Sequence, residues 1–236
     1  MRISIIIPAY NEAQRILNTL NQIQEYSSQS SHTLEVIVVD DGSSDGTVQL
    51  VEQQHYNNLR IITQPVNAGK FAAFKTGVQQ AKLDWVLLYD ADGATPIAML
   101  DQIAPLTNQY DFLIGSRRAD QAHITVPQPL FRTILGRLSY YSIRTCTGIR
   151  FKDTQCGFKL CRTTIAKRAV SKMIIDRFAG DVEFIYLAIL FGARTKEVPV
   201  EWHDVPESKV TFKDYYHSLR DVLKIRRAIK RGQYRL

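Results

Sequence analysis

The stretch WVLLYDADGATP, residues 85–96, reads as a strand that runs straight into a site. Its first five residues offer no polar face, the mark of a strand covered on both sides. They end at two acids one residue apart, Asp90 and Asp92, and PIAMLDQIAPL (96–106) then carries a helical pattern. A carboxylate closing a core strand is costly unless something binds it. The same unit recurs upstream. Residues 3–7 form a β-branched run stopped by Pro8. Asn11 and Gln14 stand at capping-box spacing before a helix with Ile16, Leu17, Leu20 and Ile23 on one face. LEVIVVD (34–40) ends in Asp40 and Asp41, and GSSDGT (42–47) turns into a helix with Val48 and Val51. LRIIT (59–63) is a third strand. NAGKFAAFKTGVQQA (67–81) starts a helix at glycine with Phe71, Phe74 and Val78 inward, and DFLIGS (111–116) is a fifth strand after the one at 85–89.

Alternation of this kind predicts parallel strands with right-handed crossovers. In such sheets ligands gather outside the carboxyl ends of the strands. Every conspicuous polar cluster lies at such an end: 10–12, 40–41, 90–92 and 116–118. No GxGxxG follows the first strand and no GxxxxGK[ST] occurs anywhere, so the phosphate cradles of dehydrogenases and P-loop enzymes are missing. A diphosphate then needs another source of positive charge. In an extended segment residues i and i+2 point the same way, so Asp90 and Asp92 can share one hard cation, Mg²⁺ or Mn²⁺. Two solvated loop acids are the plainer alternative.

The chain has 236 residues, enough for one large α/β domain, and its net charge of +7 is concentrated at one end. Residues 208–236 hold nine Lys/Arg against two Asp/Glu, so the rest of the chain is balanced and is not a general polyanion binder. Three cysteines, Cys146, Cys156 and Cys161, lack metal-binding spacing and are expected as reduced thiols in the cytosol. MRISIIIPAYNEA lacks a signal-peptide core, and FIYLAILFGA (184–193) is far shorter than the roughly 18 residues of a membrane span.

IIPAYNE (6–12), VVDDGSSDGT (38–47), NAGK (67–70) and DADGAT (90–95) resemble family 2 glycosyltransferases with the GT-A fold. GSR (115–117), FR (131–132), DTQCGFKL (153–160), RFAGDVE (177–183), EVPVEW (197–202) and ESK (207–209) are similar to the dolichyl-phosphate β-glucosyltransferase branch. That resemblance spans nearly the whole chain. It implies one GT-A domain over 1–211, a mainly parallel Rossmann-like sheet flanked by helices. Residues 1–116 would bind the nucleotide sugar and 117–211 the acceptor. It further implies inverting transfer of glucose from UDP-glucose to dolichyl or another polyprenyl phosphate. The related mannosyl enzymes carry Gln two residues after the second acid; Ala94 stands here, which favours the glucosyl branch. The eukaryotic glucosyl enzymes carry an N-terminal membrane helix; peripheral attachment at the cytoplasmic face of a membrane is expected here instead.

By the same resemblance Pro8, Tyr10 and Glu12 line the nucleobase and ribose pocket and Asp41 contacts the uracil; Lys70, following Gly69 at a helix start, is placed to approach the donor phosphates, a solvated lysine being the alternative. Asp90, Ala91 and Asp92 belong to the donor and metal site, the cation stabilising the departing UDP. Arg132 matches the family's acceptor-phosphate arginine, with Arg117, Arg137, Ser208 and Lys209 beside it. A lipid phosphate, with a second pKa of about 6, is already largely dianionic at neutral pH and needs no general base. A saccharide hydroxyl needs one. If a base exists it is Asp181, which could equally cap the helix over 181–192, whereas Asp153 orders its loop.

Residues 212–236 predict a basic amphipathic helix. Tyr215, Leu219, Val222, Ile225 and Ile229 form an apolar stripe, and Lys213, Arg220, Lys224, Arg227 and Arg231 a basic one. An anionic membrane surface suits it, a helix packed on the body with a wet basic face is the alternative, and no motif points to nucleic acid. Other functional readings are mannose transfer from GDP-mannose, a family 2 enzyme acting on a saccharide hydroxyl, and a non-catalytic nucleotide-sugar sensor. Oligomeric state is left open.

Overall fold

The computed structural model describes residues 1–120, 123–124, 140–203 and 212–235, with 123–124 and 212–215 as backbone. Arg132, Arg137, Ser208 and Lys209 therefore lie outside the described residues. The strands are β1 (Arg2–Ala9), β2 (Thr33–Asp40), β3 (Leu59–Thr63), β4 (Trp85–Tyr89), β5 (Phe112–Ser116), β6 (His123–Ile124), β7 (Phe158–Arg162), β8 (Thr195–Pro199) and β9 (Glu201–Trp202). The helices are α1 (Ile16–Gln29), α2 (Thr47–Glu52), α3 (Lys70–Gln80), α4 (Met99–Ile103), a helix described over 140–147 (α5), α6 (Thr163–Val170), α7 (Gly180–Leu190) and α8 (Phe212–Lys230).

Seven strands form one sheet in the order β3-β2-β1-β4-β7-β5-β8, and β6 pairs with β9 alongside. The expected mainly parallel α/β sheet is present, with one insertion that the alternation did not predict. DTQCGFKL is no simple loop: its second half is β7, which runs antiparallel between β4 and β5. Phe158, Leu160 and Cys161 give it an apolar strand pattern, but glycine and a lysine interrupt the run and hide it.

Period-2 alternation splits the sheet into two faces. Ile3, Ile5, Ile7, Val36, Val38, Leu87 and Leu160 pack on the side of α1 and α4. Ile6, Ile37, Val39, Leu88, Ile114 and Cys161 pack under α3, α6 and α7. Phe184 of α7 bridges this second layer, 5.1 Å edge-on from both Phe74 and Phe112. Helix α8 joins it too. Val222, Ile225 and Ala228 are buried in that layer, and so is Tyr234. Tyr234 donates its hydroxyl hydrogen to the buried Glu183 carboxylate, which also accepts the Ile174 and Ile175 N–H groups.

One local expectation fails. Asn11 does not cap α1, which starts at Ile16 without a side-chain cap. With φ of 54°, Asn11 turns its amide toward the next loop instead and accepts the Ser44 N–H at 2.9 Å. Among the described residues no helix is long and apolar enough to cross a membrane.

Candidate active site

The carboxyl ends of β1, β2 and β4 meet at one edge, where their loops lock together. Asn11 donates its N–H to Ser43 Oγ at 2.8 Å, Glu12 to Thr47 Oγ1 at 2.8 Å and Ala13 to Asp45 Oδ2 at 3.0 Å. Glu12 takes a two-pronged contact from Arg15. Asp40 accepts the Gly42 and Ser43 N–H groups, a short polar side chain ordering its own turn. Asp41 is buried. Its two oxygens accept the Ala68 and Gly69 N–H groups at 2.9 and 2.8 Å, so the carboxylate fixes the NAGK loop. Burial pushes its carboxyl up from the ordinary range despite those bonds. Pro8 is half-buried and Tyr10 is 42% exposed on the same rim.

The NAGK loop delivers Lys70. Gly69 sits at φ 117°, and a Cβ there would lie 2.4 Å from the Asp176 carbonyl oxygen, so only glycine lets α3 begin at this point. Asp176 O in turn accepts the Phe71 N–H. Lys70 then reaches Asp90 Oδ1 at 2.7 Å.

Asp90 and Asp92 do not share an extended segment. Gly93 donates its N–H to Asp90 O and sits at φ 63°, so residues 90–93 make a tight turn. Thr19 Oγ1 anchors Ala91 O, and Tyr89 donates its hydroxyl to Thr95 O. The turn still brings the two carboxylates into electrostatic contact. Burial raises the Asp92 carboxyl, and the Asp90 charge raises it further. Burial opposes the Asp90 charge as well, but Lys70, Lys159 and Arg117 outweigh it and hold that carboxyl below its usual value. Gly157, just before β7, makes room for the pair: a Cβ there would fall 1.8 Å from Asp90 Oδ2. Two half-exposed carboxylates, one of them repelled by the other, form a donor set that suits a small hard cation completed by substrate oxygens.

The other wall is built from ion pairs. Lys159, central in β7 opposite Leu88 and Ile114, is fully buried and contacts Asp181 Oδ1 at 2.5 Å, with the Cys156 carbonyl as its second acceptor. Asp181 opens α7 but does not cap it. Arg117 closes a fork on Asp153, Nε to Oδ2 at 2.7 Å and one terminal amine to Oδ1 at 3.0 Å, and lies over the Trp202 ring. Asp153 also accepts the Arg117 N–H. Despite burial, which acts in the opposite sense, Arg117 holds the Asp153 carboxyl well below the usual range. Cys156 is buried, and burial pushes its thiol up to about 11.

The structure thus gathers Lys70, Asp90, Asp92, Arg117 and Asp181, with Tyr10, Glu12 and Asp41 on the adjoining edge. Lys159 and Gly157 are functional neighbours that the sequence reading missed. A lone lysine inside an apolar strand was the available signal, because it requires a buried counter-charge.

Residues 4–170 match the family Glycosyl transferase family 2. The chain belongs to glycosyl transferase family 2. It is a glycosyltransferase, which sets aside the sensor reading. The dolichyl-phosphate beta-glucosyltransferase of Homo sapiens is 32% identical across 100% of this chain and 78% of its own length. That of Drosophila melanogaster is 34% identical, over 89% and 70%. Among solved structures, mannosyl-3-phosphoglycerate synthase from Rubrobacter xylanophilus shares the GT-A fold at a TM-score of 0.71 and 15% identity, over 99% of this chain and 76% of that one. Staphylococcus aureus TarS in complex with UDP-GlcNAc aligns at 0.62 and 21%, over 95% and 66%.

Proposed function

We propose that this glycosyltransferase moves glucose from UDP-glucose to dolichyl or another polyprenyl phosphate, with inversion at the sugar carbon. The observation that carries the reading is the state of the acceptor-side acid. Asp181 is buried and bonded to the buried Lys159, so its carboxylate is not open to an incoming hydroxyl. A phosphate acceptor brings its own negative oxygen and needs no such base. Asp153, the other acid of that wall, is likewise committed, to Arg117. The naming of its relatives supports the same acceptor and sugar.

Asp90 and Asp92 would hold Mg²⁺ or Mn²⁺. Bound there, the cation would supply charge neutralisation to the leaving diphosphate. The chain's own residues do the rest. Lys70 offsets Asp90 and lies where donor phosphates would approach. Pro8, Tyr10, Glu12 and Asp41 shape the nucleoside pocket, Asp41 by holding the NAGK loop. Arg117, kept rigid by Asp153, adds positive potential to the acceptor wall, and by family resemblance Arg132, Arg137, Ser208 and Lys209 would bind the acceptor phosphate. Lys159 offsets Asp181, so the acceptor dianion meets less repulsion.

A panel of labelled UDP-glucose, UDP-galactose and GDP-mannose with polyprenyl phosphate and Mg²⁺ or Mn²⁺ tests this. Glucose label entering the organic phase is expected. Preference for GDP-mannose, or label passing only to a saccharide, would overturn it.

A further inference from the structure

Helix α8 has two apolar faces, and among the described residues only one is buried. Val222, Ile225 and Ala228 are in the core, so most of the stripe expected to meet a membrane is already covered. On the opposite side Tyr216, Leu219 and Leu223 are 68%, 43% and 39% exposed. Their spacing of three and four residues stacks them in one row along the helix. Basic residues border this row on both sides. Arg220, Lys224, Arg227 and Arg231 are exposed along one flank; on the other, Lys230 is exposed and Arg226 is half-buried. The acids of the described helix surface do not interrupt the row: Asp221 is buried and takes Lys224 at 2.7 Å.

Three large exposed apolar side chains ringed by cations are costly in water and match one kind of partner closely. We infer that Tyr216, Leu219 and Leu223 dip into the headgroup layer of an anionic phospholipid bilayer while the surrounding arginines and lysines engage lipid phosphates. Long basic side chains favour such a boundary, since their stems lie along apolar surface and their heads reach charge. The helix would lie flat, its inner face held by the core and its outer face in the lipid. The choice of a lipid surface as occupant rests on the reading that the acceptor phosphate is carried on a lipid.

Deleting α8 would strip Val222, Ile225, Ala228 and Tyr234 from the core, so point variants of the full chain are the proper test. Leu219→Glu/Leu223→Glu and, separately, Arg220→Gln/Arg227→Gln are compared with the unmodified chain by cosedimentation. The vesicles are phosphatidylcholine alone or phosphatidylcholine with about a third phosphatidylserine. The unmodified chain should bind the anionic vesicles and largely ignore the neutral ones. The glutamate pair should lose roughly tenfold or more in affinity, as expected when two leucines no longer leave water. The glutamine pair should lose affinity only for anionic vesicles, and all variants should melt like the parent. Unchanged cosedimentation of the glutamate pair overturns the proposal. So does a switch from dimer to monomer in light scattering with vesicle binding intact, which would make the row a contact between copies. Transfer to a short-chain prenyl phosphate in detergent separates the two readings. Its persistence without vesicle binding sinks the docking row alone, whereas its absence alongside normal vesicle binding sinks the acceptor reading alone.

Discussion

The two walls of the site are held together by different forces. At the β1–β2 edge, loops are tied by hydrogen bonds from backbone N–H groups to Asn11, Asp41, Ser43, Asp45 and Thr47. At the β7–β5 side, two ion pairs do the work, Lys159–Asp181 and Arg117–Asp153, both largely out of water. Short polar side chains satisfying nearby amides are individually modest and replaceable, about 1 kcal/mol each. Buried charges are not: each depends on one counter-charge, without which it stays desolvated and unpaired. The donor edge therefore resembles a set of small clips, and the acceptor wall a pair of locks. Disturbing one lock should cost far more than removing one clip.

The largest effect is expected for Lys159→Met, which leaves Asp181 buried without its counter-charge. Destabilisation of about 3–5 kcal/mol is predicted in urea titration, and Lys159→Met/Asp181→Leu should recover much of it. A single variant as stable as the parent would remove the contrast between the walls. Next is Gly157→Ala, which lies where the two regions touch. The added methyl would displace the Asp90 carboxylate, so turnover should fall roughly a hundredfold, as misplacement by about 1 Å does elsewhere. A circular dichroism melt should remain cooperative, and near-normal kcat would show that Asp90 need not sit where it does.

Asp153→Asn probes the second lock through pH. Its folded carboxyl titrates well below the unfolded value, so its stabilising contribution is fully present above about pH 4 and fades as pH falls toward the folded value. The variant should be less stable than the parent at neutral pH, and the two curves should converge in acid. A gap that persists unchanged to the lowest pH reached would mean the Arg117 charge pair is not its source. The smallest effect belongs to a clip. Thr47→Val loses the acceptor for the Glu12 N–H and should cost about 1 kcal/mol. A loss as large as that of Lys159→Met would erase the distinction.

The same contrast explains what could be read beforehand. The donor edge was legible because each of its strands, turns and helices is encoded within about a dozen residues: a β-branched run, then acids, then glycine and serine. Boundaries such as 59–63 and the glycine start of α3 followed directly. The capping role of Asn11 failed because its true partner, Ser44, sits on a different loop. Likewise the extended reading of Asp90 and Asp92 gave way to a turn set by Gly93. Strand β7 escaped because Lys159 breaks its apolar run, and only Asp181, 22 residues later, makes that lysine tolerable. For α8, periodicity picked out the face with Val222 and Ile225 but not whether it meets a membrane or the body.

Calorimetry of UDP-glucose binding, with Mn²⁺ and then with a chelator, tests the central claim that Asp90 and Asp92 join a divalent cation to the donor diphosphate. Binding should weaken by at least tenfold when the metal is removed, and Asp92→Asn should bind as weakly with metal as the parent does without it. Equal affinity in all of these conditions would contradict the account.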